Sequence, residues 1–432
     1  MAWARGKSIN QQINKSANQP MTDRLYYHDS FLYDFDAKVV EVGEHAGRLA
    51  VVLDRTAFYP TSGGQLSDTG RLAPATDPGA AMRVAEVAED EAGIVYHYLE
   101  APPVAPLGKG AAVRGRIDAA RRRDHMQQHS GQHILSAAFV RLFQMPTVSF
   151  HMGAESCTLD LETKALNAAQ VEQAERLANQ VVTEDRPVKV RFVNLEEAKM
   201  LGVRKLPELK SGRDLLRLLD ILEFDLTACG GTHVRSTGQV GPILLRKTEN
   251  VKQGVRVEFV CGARAVAVAR RDFSTLTEAA AIYSAHIREL PQQVRKAQEE
   301  QKAAGKRERD LLEEVAELRA ERLLAETPAA GGARRIVKLF TERDAAFLKL
   351  LAQKLTADPT RPAVALVACG QGQPTLVFAQ TPGLPYNMGA LLKEVVAAAG
   401  GRGGGSQDMA QGGVAEAGAL AGILEKAAGK LE

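Results

Sequence analysis

The sequence predicts an α+β protein in four parts: a small β-barrel-like N-terminal subdomain, a mixed α+β domain, a helical arm and a small α/β C-terminal domain. Three observations carry that prediction. Short β-branched runs separated by Gly, Asp and Pro clusters fill the chain from Tyr26 to Leu99. Strands and helices then follow in mixed order, which argues against a doubly wound sheet. Beyond Asp272 the chain turns to long charged helix formers, and beyond Arg335 apolar strands alternate with helices.

Taken in order, residues 1–20 hold Arg5, Lys7 and Lys15 without an acid or an apolar core, and read as a disordered extension. Residues 21–112 form the barrel-like part, with strands expected over 37–42, 48–53, 82–87 and 94–99. Between two of them lies a loop with Thr61, Ser62, Gly63, Gly64 and Gln65. Its paired glycines suit positive φ, or a backbone that a ligand approaches closely. Residues 113–270 form the second domain: a helix rich in histidine, a hairpin over 148–161, an amphipathic helix over 165–183, a strand over 187–193, a short helix over 195–201, and strands over 241–246 and 255–260. From 271 to 328 a 4-3 apolar alternation through Leu311, Val315 and Leu318 predicts an arm or an antiparallel hairpin, with Gly305 as its turn. Residues 333–432 form the α/β domain, with strands over 336–340, 363–368 and 375–379 and helices over 344–355 and 388–399.

At 432 residues the chain needs more than one core, and a net charge of +3 leaves any nucleic-acid surface to local basic clusters. Four cysteines are too few for a disulfide scaffold. No apolar run reaches the roughly 20 residues of a membrane helix, so a cytoplasmic location is expected.

The chemistry concentrates in two stretches. His125, His129 and His133 stand four residues apart, so neighbouring pairs share one helix face and can grip a metal. Cys229-Gly-Gly-Thr-His233 offers a second pair across a tight turn. Together they make a Cys/His set suited to Zn²⁺ and unsuited to Mg²⁺ or Ca²⁺. Spacing does not separate His125/His129 from His129/His133 as the helix pair. His97 and His151 are candidate pocket residues, more often structural than catalytic.

Tyr59-Pro-Thr-Ser-Gly-Gly-Gln65 with Asp68-Thr-Gly70, His129-Ser-Gly-Gln-His133 and Cys229-Gly-Gly-Thr-His233 resemble the editing domain of alanyl-tRNA synthetase. The free-standing long-type alanyl-tRNA editing proteins (AlaX) are the more similar form. The C-terminal domain resembles DHHA1, with a glycine-rich segment over 400–413. The resemblance implies that His129, His133, Cys229 and His233 hold zinc in the second domain, with His125 outside the set. With no room before Tyr26 for an aminoacylation domain, it implies hydrolysis of tRNA(Ala) mischarged with Ser, and with Gly as a further candidate, rather than ligation.

A pocket that selects serine over alanine needs hydrogen-bonding groups for the extra hydroxyl. Gln65 and Gln132 are the candidates for the reacting centre, and Thr61, Gly63, Gly64 and Ser149 for the substrate pocket. No nucleophile set is visible, so water is expected to attack the 3′ ester. Arg121, Arg122, Arg123 and Arg402 are candidate tRNA contacts, as are the clusters Arg114/Arg116 and Lys205/Lys210/Arg213. The arm or the C-terminal domain is a place for a homodimer contact. The alternative function is a non-catalytic tRNA-binding or dimerising factor with structural zinc.

Overall fold

The structure, a computed structural model, describes residues 22–103, 107–204, 206, 215–252 and 254–431. The expected disordered extension over 1–20 and the basic residues Lys205, Lys210 and Arg213 lie outside the described residues. Two compact units divide the chain, Met1–Leu276 and Thr277–Glu432.

The first unit opens with a closed barrel. Strands β1 (Asp34–His45), β2 (Arg48–Leu53), β3 (Gly70–Pro74), β4 (Met82–Glu89), β5 (Val95–Leu99) and β6 (Ala112–Ile117) pair in the order β1-β2-β5-β4-β3-β6 and back to β1. Strict alternation in β6 sends Val113, Gly115 and Ile117 inward, beside Phe35, Val51, Phe58, Leu72 and Val84. Closure leaves no edge open for pairing. The expected domain boundary at 112/113 is corrected, because β6 is the strand that closes the barrel.

Helix α1 (Ala119–Phe143) follows at once. Asp118 caps it, accepting from Ala120 N at 3.0 Å and Arg121 N at 3.1 Å. Every residue from Gln128 to Phe139 is buried, so no amphipathic stripe marks this part of it. Two short sheets and two further helices follow it in sequence: β7 (Thr147–Met152), β8 (Cys157–Leu161), α2 (Ala168–Thr183), β9 (Val188–Val193), α3 (Leu195–Met200), β10 (Leu216–Ile221), β11 (Asp225–Ala228), β12 (Ile243–Val251) and β13 (Gly254–Cys261). The antiparallel orders are β12-β13-β8-β7 and β9-β10-β11. Asn167 and Gln170 form a capping box at the start of α2. Gly131 lets α1 approach β13, since a Cβ there would lie 2.3 Å from Cys261 Sγ. Helix α4 (Gly262–Ile282) follows β13.

In the second unit α5 (Leu290–Glu326) runs unbroken through Gly305, so the expected hairpin turn there is corrected. A mid-helix glycine costs about 1 kcal/mol, and the helix formers on both sides of it outweigh that. Ala316, Ala320, Leu323 and Leu324 bury themselves against α6 (Ala345–Thr356), whereas Leu311, Val315 and Leu318 of the expected seam stay exposed. The sheet is β14 (Ala333–Phe340), β15 (Ala363–Cys369), β16 (Thr375–Gln380), β17 (Arg402–Gly405) and β18 (Met409–Gly413), ordered β14-β15-β16-β18-β17 with Ala329–Ala330 on the β14 edge. Helices α7 (Met388–Ala397) and α8 (Leu420–Gly429) cover the face opposite α6. The glycine-rich segment is therefore a strand pair. A Cβ on Gly403 would meet Leu392 of α7 at 3.0 Å and Gly412 Cα at 2.8 Å, so these glycines serve close packing. Among the described residues no helix is long and apolar enough to cross a membrane.

Candidate metal centre

Helix α1 presents His129 and His133 one turn apart, with ring centroids 5.1 Å from each other. The loop after β11 brings Cys229 and His233 against them. Cys229 Sγ lies 3.2 Å from His233 Nε2 and 3.5 Å from His129 Nε2, and the ligand atoms of all four residues fall within 4.8 Å of one another. Bonds of about 2.0–2.3 Å at tetrahedral angles place neighbouring ligand atoms roughly 3.3–3.8 Å apart. The spacing thus matches a shared ion. His125 stays outside the cluster, which leaves His129/His133 as the helix pair.

The loop's sequence explains how it closes so tightly. A Cβ on Gly231 would lie 2.2 Å from His129 Cε1 and 3.0 Å from Gln65 Oε1, while one on Gly230 would meet Tyr27 Oη at 3.7 Å without conflict. Gly231 is the residue that admits the imidazole.

Two of the three imidazoles are oriented from behind by hydrogen bonds, and the third stands near a carboxylate. His129 Nδ1 donates to Gln65 Oε1 at 2.7 Å, leaving Nε2 free to face Cys229. Gln65 is itself fixed: its Nε2 donates to Thr232 Oγ1 at 2.8 Å and its Oε1 accepts from Thr232 N at 3.1 Å. His233 Nδ1 meets Ser130 Oγ at 3.2 Å. His133 Nδ1 stands 3.9 Å from Asp225 Oδ2, and Arg204 grips that carboxylate with bonds of 2.7 and 2.9 Å. Backing of this kind sets the tautomer and basicity of metal-binding histidines.

Polar accounting favours an ion. Both nitrogens of His133 are buried without a hydrogen-bond partner among the described residues. An orphaned buried polar group costs about 1–3 kcal/mol, and a cation removes that cost at one of them. Burial holds the imidazoles neutral, as ligands must be: His129 falls to about 3, with Arg217 and His125 adding to desolvation. His133 and His233 fall well below the usual histidine value for the same first reason. Burial also raises the Cys229 thiol, opposed by Gly231 N–H and Arg217. A bound cation reverses that preference by deprotonating a coordinating thiol. The donor set of three imidazoles and one thiol therefore fits a borderline-soft divalent metal.

The other expected site residues are placed differently. Gly64 has φ +82° and a Cβ on it would lie 2.4 Å from Phe150 O, while Gly63, at φ +56°, faces open space. Thr61 is exposed, and its Oγ1 accepts from Ser67 N at 3.1 Å, closing the loop on itself. Gln132 is buried and donates to Ser136 Oγ at 2.8 Å. Ser149 is exposed and donates to Asp160 Oδ2 at 2.8 Å. Its neighbour Phe150, on the opposite strand face, is the residue that stacks on His129, with centroids 5.5 Å apart. The pocket expectation for Ser149 is corrected accordingly.

The basic run divides in the same way. Arg123 is exposed, and Arg121 donates to Ser67 O at 2.9 Å. Arg122 is wholly buried, with Nε on Asp68 Oδ1 at 3.0 Å, Nη1 on Ser30 O at 2.7 Å and Nη2 on Ala57 O at 2.6 Å. No face remains for a phosphate, which corrects the expected tRNA contact. Arg122 and Asp68 instead tie α1 to the loop that carries Gln65. Arg402 is exposed at the start of β17.

Sequence reasoning did not single out Ser130, Thr232, Asp225, Arg204 or Arg217. Ser130 and Thr232 lie inside the quoted motifs and were legible there; Arg204 and Arg217 carried no local signal. His97 is buried with both nitrogens bonded, to Thr56 Oγ1 at 2.8 Å and Val51 O at 2.9 Å, and is structural. His151 is exposed on β7.

Comparison with known proteins agrees with this layout. Residues 1–121 match the family model "tRNA synthetases class II (A)", 216–257 match "Threonyl and Alanyl tRNA synthetase second additional domain", and 336–432 match "DHHA1 domain". The described part of the first match is the barrel and the start of α1. Alanine–tRNA ligases of Pyrococcus furiosus and Natronomonas pharaonis are 33% and 34% identical, over 95% and 93% of this chain and 44% and 43% of their own lengths. The chain thus spans less than half of those ligases. The alanyl-tRNA editing protein AlaX-L of Pyrococcus horikoshii is 30% identical over 91% of this chain and 94% of its own length.

Proposed function

The chain belongs to the family of alanyl-tRNA editing proteins, and from that premise we propose that it is a zinc-dependent deacylase of tRNA(Ala) mischarged with serine, and with glycine, acting in trans. The observation that carries the reading is the cluster of buried His129, His133 and His233 with half-buried Cys229, His133 having no hydrogen-bond partner among the described residues. When bound, zinc supplies a Lewis acid beside the ester.

The chain's own residues do the rest. Gln65 and Ser130 hold His129 and His233 in ligand-competent orientation. Buried hydroxyls on the elements that build the cluster, Ser130, Thr227 and Thr232, supply the polar surroundings that a serine hydroxyl needs. A water oxygen bonds to the ester carbonyl carbon, the bond from that carbon to the ribose 3′-oxygen breaks, and the proton passes to that oxygen. The 2′-hydroxyl of the substrate orients the water. Exposed Arg123 and Arg402 contact the tRNA backbone, and the exposed Leu311, Val315 and Leu318 support a homodimer contact.

The test is release of labelled serine from Ser-tRNA(Ala) beside Ala-tRNA(Ala). We expect rapid loss of the first and sparing of the second; equal loss of both, or of neither, contradicts the reading. Four protein ligands also favour a second reading, a structural zinc in a non-catalytic tRNA-binding or dimerising factor. Tight tRNA binding without hydrolysis supports that one.

A further inference from the structure

Beside the metal centre lies a feature that its chemistry leaves unused. The register of β9 and β10 sets Phe192 opposite Arg217, and Cys229 N donates to Arg217 O at 3.1 Å. Directly opposed residues share a sheet face, so Phe192, Arg217 and Cys229 form one row. Two steps of about 4.8 Å separate its ends, comparable to the reach from an ester on a ribose to that ribose's own base.

Arg217 is 8% exposed. Its Nε donates to Tyr27 O at 3.1 Å and its Nη1 to Cys229 O at 2.6 Å, bracing the ligand loop. Its Nη2 is buried without a partner among the described residues. A bracing role accounts for two nitrogens and leaves the third, a charged donor, unexplained.

One aromatic ring stands against this side chain, and two more neighbour it in sequence and in register. The guanidinium carbon lies 5.5 Å from the centroid of half-buried Tyr27. Exposed His28 leans on Phe192 with centroids 5.4 Å apart, and Phe192 is 41% exposed. Phe192 thus offers an open aromatic face on the strand beside the metal centre. An arginine flanked by rings is the pairing that binds a nucleotide, through its anionic and hydroxyl oxygens and through base stacking.

We propose that Tyr27, His28, Phe192 and Arg217 seat the nucleotide that carries the scissile ester, its base stacked on the ring ledge and a sugar or phosphate oxygen accepting from Arg217 Nη2. This rests on the deacylase reading of the metal centre and says which part of the substrate the neighbouring surface holds. The base, rather than the amino acid, then sets much of the approach of the ester to the cluster.

Inhibition of Ser-tRNA(Ala) hydrolysis by adenosine 5′-monophosphate and by ribose 5-phosphate tests it. In the unaltered protein the adenosine nucleotide is expected to compete at least about 10-fold better, the range of one stacked base. Phe192→Ala removes that advantage, Phe192→Tyr retains it, and Arg217→Lys weakens inhibition by both compounds, with bound metal measured in each variant to show the centre assembled. Equal inhibition by the two compounds, or an advantage that survives Phe192→Ala, overturns the seat while leaving the deacylase intact. Absence of Ser-tRNA(Ala) hydrolysis in the unaltered protein sinks the deacylase reading and the seat with it.

Discussion

His97 in the barrel and His133 in α1 are both buried histidines, and burial lowers the affinity of each for a proton. They differ in what they touch. His97 Nδ1 donates to Val51 O, and Nε2 accepts from Thr56 Oγ1, whose oxygen in turn accepts from Phe58 N. That chain is complete. Both nitrogens of His133 end without a partner among the described residues, three ligand-type side chains surround it, and a carboxylate held by Arg204 stands behind it. Burial alone does not mark a functional histidine; an incomplete account of its hydrogen bonds, in company with other ligands, does.

The largest expected effect separates the two directly. His133→Ala should abolish stoichiometric metal and lower deacylation on the order of 10³-fold, the several kcal/mol that a metal contributes to stabilising developing charge. His97→Ala should leave metal content at the unaltered level while costing about 1–3 kcal/mol of stability through the unpaired Thr56 and Val51 groups. Elemental analysis and denaturant unfolding of the two variants read both effects. Metal loss in His97→Ala, or its retention in His133→Ala, would break the distinction.

A smaller effect is expected from Gln65→Ala, which leaves all four ligands in place. It frees Nδ1 of His129, and a loss of about 10–100-fold in metal affinity or activity follows from removing such an orienting partner. Competition with a chelator of known affinity measures it. An unchanged affinity and rate would show that the cluster orients itself without Gln65.

The remaining effect, on stability rather than on the metal, is the pH dependence carried by His97. Its folded pKa is lowered to about 4, burial outweighing the Val51 hydrogen bond, against an unfolded value near 6.5. Its neutral form is therefore fully stabilising above about pH 6.5, and that contribution is lost as pH falls toward 4, by roughly 3 kcal/mol at the lower end. His97→Gln should unfold with a shallower pH slope than the unaltered protein across that window. Equal slopes would mean that other groups carry the acid sensitivity.

The same contrast explains what was legible in the sequence. Strand patterns over 48–53 and 82–87 and the Cys229-Gly-Gly-Thr-His233 turn announce themselves locally, through alternation and ligand spacing. So do the four metal-ligand candidates, and the resemblance to AlaX singles them out. Strand β3 lacks alternation and β-branched residues, and it exists because β4 and β6 flank it. Arg122 looked like a surface cation because its partner, Asp68, is 54 positions away. Gly305 looked like a turn, yet its neighbours are strong helix formers and α5 passes through it. Arg217 and Phe192 carry no motif at all, and only the register of β9 and β10 brings them beside Cys229. Long-range pairing is what the local pattern does not encode.

The central claim is that the cluster holds a metal on which hydrolysis depends. The most direct measurement is serine release from Ser-tRNA(Ala) by the intact protein, by the protein stripped with a chelator, and by the stripped protein given back zinc, with bound metal quantified at each stage. The account expects about one zinc per chain, activity lost with the metal and regained with it. Full activity in protein shown to be metal-free would contradict it.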